Sequence, residues 1–219
     1  MSTTRLAPDT VLAGKYRLYE AIGAGGMGVV YRAEQISLGR TVAVKMLRPE
    51  HAASPERVRR FQVEARAASR LCHRGSVALY DYGIADDGAP YLVMELVHGV
   101  PLSDYLRERW PVPLGLVVDL GLQILAAIAD AHAAGVIHAD IKTDNVLVET
   151  RRGGMVRAKI VDYGLARLMD EASEGTYGTP EYVAPEVACG QPISIAADIY
   201  SIGITLYELL TGAPPSVMP

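Results

Sequence analysis

The stretch His138-Ala-Asp-Ile-Lys-Thr-Asp-Asn145, followed further on by Asp162-Tyr-Gly164, holds the residues best suited to chemistry. Asp140 can accept a proton from a hydroxyl, and Asp162 with Asn145 can supply oxygen ligands to magnesium. Lys142 can pair with a phosphate in motion. Phosphoryl transfer proceeds through a loose transition state, so a protein contributes mainly by positioning groups and stabilising charge. The two acids, the lysine and the amide, in this order, point to ATP-dependent phosphoryl transfer. His138 sits beside an apolar strand, where a buried hydrogen-bonding role is the better expectation than a base.

Two further constellations lie upstream. Gly23-Ala-Gly25-Gly-Met-Gly28 is a GxGxxG match in which backbone N–H groups can approach phosphates without a Cβ in the way. A dinucleotide-binding turn would open a helix, but Val29-Val-Tyr-Arg-Ala-Glu34 reads as a returning strand. Val42-Ala-Val-Lys45 is an alternating strand that ends on a lysine, and Glu64 lies within the next helical stretch. Taken singly, each would be a solvated surface charge. Beside the glycine loop and the 138–145 stretch they read as a phosphate-binding lysine and the acid that fixes it.

The elements that must position these residues change in kind along the chain. Residues 1–15 read as a polar leader. Strand patterns cover 16–22, 29–35, 41–47, 77–82 and 91–96, with one helix opened by Pro55 and carrying Val58, Phe61, Ala65 and Ala68 on one face. Helices are expected at 102–109, 114–134 and 197–210, the last stopped by Gly212 and Pro214. The expected fold class is therefore α+β: a five-stranded antiparallel sheet with one helix over 16–96, then a mainly helical part over 97–219, as two lobes around a cleft.

Composition narrows the function classes. The 219 residues carry a formal charge of −4 and are 50% hydrophobic, which fits neither a disordered tail nor an overall basic nucleic-acid binder. Cys72 and Cys189 lack CxxC spacing and suit reduced thiols in a cytoplasmic setting. Asp119, Gln123 and Asp130 interrupt the most apolar stretch, so no membrane segment is expected.

These pieces together resemble the eukaryotic-type Ser/Thr protein kinases, close to their bacterial branch. The resemblance rests on Ile22–Tyr31, Val42–Lys45, Glu64, the 138–145 loop, Asp162-Tyr-Gly164, Gly178-Thr-Pro-Glu-Tyr-Val-Ala-Pro-Glu186 and Asp198-Ile-Tyr-Ser-Ile-Gly203, in family order. It implies a two-lobed kinase fold, Mg-ATP as cofactor, protein serine and threonine hydroxyls as acceptors, and no nucleic-acid partner. It also implies roles. Asp140 would be the catalytic base, with Lys142, Lys45, Glu64 and Thr179 as further catalytic residues, and Asn145 and Asp162 would bind magnesium. Ile22, Gly23, Gly25, Gly28, Val30, Ala43, Lys45, Met94, Glu95, Val97 and Leu147 would hold ATP, with Met94 as gatekeeper and 95–97 as the hinge. Residues 162–186 would form the activation segment. An alternative is a kinase-like nucleotide-binding module with weak or no transfer.

Three departures from the family carry expectations. Ala139 stands where many members have an arginine that pairs with a phosphate on the activation segment, so activity should not depend on phosphorylation at Ser173 or Thr176. Tyr163 replaces the usual phenylalanine, and its hydroxyl needs a partner if buried. The chain stops at Pro219, so the family's last helices and the arginine that pairs with Glu186 are expected to be missing. The apolar side chains Ile199, Ile202, Leu206 and Leu209 would then be partly bare and would favour self-association.

Overall fold

A computed structural model describes residues 9–25, 28–151, 153–163, 167–168 and 179–215. The fold is α+β, and the chain forms two compact units. The first comprises Met1–Ala65 with Ala78–Leu96; the second comprises Arg66–Val77 with Val97–Pro219. The end of the first long helix and the loop after it thus group with the second unit.

The first unit is built on an antiparallel sheet of β1 (Val11–Leu12), β2 (Tyr16–Ala24), β3 (Gly28–Gln35), β4 (Arg40–Leu47), β5 (Leu79–Ile84) and β6 (Pro90–Glu95), in the order β1-β2-β3-β4-β6-β5. Five of these strands match the sequence pattern. The sixth is a correction, because β1 lies inside the stretch read as a leader and pairs Val11 with Arg17 and Leu12 with Tyr16. Two residues are too few to show an alternation, and only Leu12 is buried.

Two helices belong largely to this unit, the single turn α1 (Pro49–Ala52) and α2 (Pro55–Ala68). The expected apolar face of α2 is the one used. Phe61 and Ala65 are buried in a cluster with Leu47 and Leu92, and Val58 packs against it. A second cluster, including Leu18, Tyr31, Val44, Tyr91 and Val93, fills the sheet's other side.

The second unit holds β7 (Val100–Pro101), α3 (Leu102–Arg109), α4 (Leu114–Ala133), β8 (Val136–Ile137), β9 (Val146–Thr150), β10 (Val156–Ile160), β11 (Arg167–Leu168), α5 (Pro185–Ala188) and α6 (Ile195–Thr211). The small strands form a three-stranded sheet, β10-β9-β7, and a β11-β8 pair. By length and composition alone α4 is apolar enough to cross a membrane. In this fold its Val117, Leu120, Ile124 and Ile128 build the core, and Gln123 bonds to the Val156 carbonyl and the Ala158 N–H of β10. Gly212 ends α6 in the left-handed conformation (φ 88°), its N–H on the Glu208 carbonyl at 2.8 Å.

The expected bare face of α6 is found at Ile199 but is corrected at Ile202 and Leu209. Ile202 and Leu209 are buried in the core, packed with Leu206 against α4 residues, whereas Ile195, Ile199, Tyr207 and Leu210 are exposed.

Candidate active site

In the first unit the glycine segment is the turn between β2 and β3. Ile22 and Gly23 lie on β2, Gly25 donates its N–H to the Gly28 carbonyl at 2.9 Å, and Gly23 pairs with Val30. Gly26 and Met27 lie outside the described residues. Gly28 has a packing reason to be glycine, since a Cβ there would collide with the Met46 carbonyl oxygen. At Gly25 nothing would obstruct a side chain.

The register of the sheet then aligns the other residues. Val30 lies opposite Lys45, Ala43 opposite Met94, and Val42 opposite Glu95. The Lys45 ammonium meets the Glu64 carboxylate at 2.6 Å, both buried. Phe61 packs α2 against Leu47 and Leu92 of the sheet, and removing one partner of the pair would strand a buried charge. Met94 packs against the Phe61 cluster, and Glu95 is tied to Ala78 through its N–H at 2.9 Å.

In the second unit the Asp140 carboxylate is the centre of a convergent set. Its Oδ1 accepts the Thr179 N–H and hydroxyl, each at 3.2 Å. Its Oδ2 accepts Asn145 Nδ2 at 3.0 Å and faces Lys142 Nζ at 3.1 Å. Lys142 also donates to Thr179 Oγ1 at 2.6 Å. The turn Thr143–Asn145 brings Asn145 back beneath Asp140, and Asn145 Nδ2 also bonds to the Asp140 carbonyl at 2.8 Å. The Val161 N–H bonds to the Asn145 carbonyl at 2.9 Å, which sets Asp162 beside this group with its side chain exposed.

Residues assigned to adenine are divided between the units. Val30, Ala43, Met94 and Glu95 belong to the first, whereas Val97 and Leu147 (on β9, opposite Lys159) belong to the second. Gly164, Ser173, Thr176 and Gly178 lie outside the described residues.

Several groups around the 138–145 loop carry no local signature of their contacts in the sequence. The buried Asp198 carboxylate accepts the His138 N–H at 2.9 Å, the Ala139 N–H at 2.8 Å and His132 Nε2 at 2.8 Å. Ala139, the second of these two donors, has a left-handed backbone, φ 68°. Charge-assisted hydrogen bonds of this kind offset that strain.

His138 is wholly buried. It accepts the Asp140 N–H at Nδ1 and donates from Nε2 to the Val161 carbonyl, both at 3.3 Å, so it acts as a neutral structural group.

Tyr182 donates to Glu208 Oε2 at 2.5 Å, and Thr143 Oγ1 lies 3.4 Å from Tyr182 Oη and donates to Glu208 Oε1 at 3.4 Å. Burial, and then the bond to Glu208, push the Tyr182 phenol above its ordinary range. The spacing of Asp198 and Glu208 on α6 was visible, but not which side chains they would meet.

The Lys45–Glu64 pair, the set around Asp140 and the strand order together define a protein kinase. The protein kinase domain model matches residues 16–218, and the chain belongs to that family. It is 43% identical to the serine/threonine-protein kinase pkn3 of Myxococcus xanthus, over 95% of this chain and 41% of that protein. It is 41% identical to the serine/threonine-protein kinase PknA of Mycobacterium tuberculosis, over 93% of this chain and 48% of that protein. The chain thus spans less than half the length of these curated relatives. The solved kinase domain of Mycobacterium tuberculosis PknI superposes with a TM-score of 0.77 at 30% identity, covering 98% of this chain and 83% of that domain.

Proposed function

We propose that the domain transfers the γ-phosphate of ATP to serine and threonine hydroxyls of protein substrates. The observation that carries this reading is the Asp140 carboxylate with Lys142, Asn145 and Thr179 gathered on it. Asp140 orients the attacking hydroxyl and accepts its proton. Because its donors hold it in one orientation, its main contribution is alignment, which suits a transition state with little nucleophile bonding. Lys142 bridges Asp140 and Thr179 and is placed to stabilise charge on the migrating phosphoryl group. Lys45, fixed by Glu64, serves the α- and β-phosphates. The glycine turn, Val30, Ala43, Met94, the 95–97 segment and Leu147 serve the rest of the nucleotide.

The donor set fits magnesium. Among the described residues no cluster of three or more His, Cys, Asp or Glu side chains is set to hold a metal. Magnesium instead suits one or two protein oxygens completed by phosphates and water. Both hydrogen bonds of the Asn145 amide are donated by Nδ2, so its Oδ1 and the exposed Asp162 carboxylate are the oxygens that would hold the ion. When bound, the ion neutralises phosphate charge.

The test is phosphate transfer from Mg-ATP to the protein itself and to a generic protein substrate, beside Asp140→Asn. The variant should lose roughly 100-fold or more in turnover while binding ATP nearly as well. Equal rates for the two proteins would refute the assignment.

A further inference from the structure

The hydroxyl of Tyr163 has found a partner. Tyr163 and Ser76 are both almost completely buried, and Tyr163 Oη donates to Ser76 Oγ at 3.1 Å. The ring of Tyr163 lies against the His138 ring, with centroids 4.6 Å apart. Tyr163 is thereby fixed both along its ring and at its tip.

Ser76 is itself firmly held. Its N–H bonds to the His73 carbonyl at 2.9 Å, and its carbonyl accepts Lys159 Nζ at 3.2 Å. On either side, Gly75 accepts the Ile160 N–H at 2.7 Å and Val77 donates to the Ile160 carbonyl at 3.0 Å. The loop carrying Ser76 is therefore stitched to the strand that leads directly into Val161-Asp162-Tyr163.

Between these anchors Asp162 has a positive φ of 59°. Residues with a Cβ visit that region only when their surroundings hold them there. On the upstream side, Val161 is held by the Asn145 carbonyl and by His138 Nε2. On the downstream side the next residue is Tyr163.

We propose that Ser76 is a positioning residue. Through the Tyr163 hydroxyl it holds Asp162 in the left-handed backbone that presents its carboxylate to magnesium. The proposal rests on the reading of Asp162 as a magnesium ligand. The two hydroxyls form a matched pair, and the variants should not be equivalent. Removing the Ser76 hydroxyl leaves a buried phenol without its partner, whereas removing the phenol hydroxyl leaves a phenylalanine in an apolar slot.

The test measures the transfer rate against magnesium concentration at saturating ATP, for wild type, Ser76→Ala, Tyr163→Phe and the double variant. Ser76→Ala should raise the magnesium needed for half-maximal rate by roughly 5- to 10-fold, while the rate at saturating magnesium is kept. Tyr163→Phe should have the smaller effect, and adding it to Ser76→Ala should return the requirement to the Tyr163→Phe level. A loss of packing alone would not separate the magnesium requirement from the maximal rate, nor be relieved by a second truncation. Additive effects, or an unchanged requirement in Ser76→Ala, overturn the proposal.

Amide exchange over residues 160–163 without nucleotide gives an independent reading. It should quicken in Ser76→Ala and slow again in the double variant. A wild type that transfers no phosphate would sink the kinase reading, and exchange would still decide whether Ser76 positions Asp162. Unchanged exchange in Ser76→Ala would sink the positioning role even in an active enzyme.

Discussion

Ala139 carries an expectation about regulation that a single side chain would set. Its backbone lies in the left-handed region with its N–H on Asp198, and its methyl group offers no cation to a phosphate. A phosphorylated Ser173 or Thr176 would lack the arginine that many family members supply at this position. Replacing both residues by alanine should therefore leave the transfer rate within about twofold of wild type, while a collapse in rate would show that another cation does this work. Thr179 is unsuited to the same test, because it touches both Asp140 and Lys142. The acids, amide and lysine of 138–145 were legible in sequence because the catalytic loop is local: a tight turn brings Asn145 back to Asp140. Ser76, Asp198 and Glu208 were not assigned roles, since their partners lie tens of residues away and no periodicity encodes them.

At the scale of elements, α2 exists to deliver Glu64 to Lys45, and its hold on the sheet comes from Phe61, the one phenylalanine in the chain. Phe61→Ala should cost about 3–5 kcal/mol, the usual loss for a fully buried phenylalanine. It should also weaken ATP binding, because the carboxylate that fixes Lys45 then rides on a loosened helix. Denaturant titration and nucleotide binding measured together check this; a large stability loss with unchanged binding would uncouple the helix from the lysine. The same helix shows why most of the fold was readable. Val58, Phe61 and Ala65 repeat at helical spacing, and β3, β4 and β6 alternate or run apolar as their burial demands. β1 escaped notice because pairing of two residues comes from a neighbour, not from a pattern.

Over the whole molecule, buried phenols tie stability to alkaline pH in both units. Tyr16 and Tyr91 in the first unit, and Tyr163 and Tyr182 in the second, all have phenols raised by burial, reinforced at Tyr16 by Asp81 and at Tyr182 by Glu208. A raised folded-state value means that the neutral phenol is the form the fold prefers. Its stabilisation is fully present below the ordinary phenol value of 10.0 and is lost as pH rises through the folded value, about 12 for Tyr163. For that residue the stake is about 3 kcal/mol. Unfolding free energies measured from neutral pH to about pH 12 should stay flat until near pH 10 and then fall. Tyr163→Phe should have a shallower decline, because phenylalanine has no proton to lose, so its stability gap to wild type should change steadily above pH 10. A gap that stays constant across that range would mean that Tyr163 titrates as freely in the folded protein as in the unfolded chain. That would contradict the burial of the Tyr163 side chain, which is what raises its phenol.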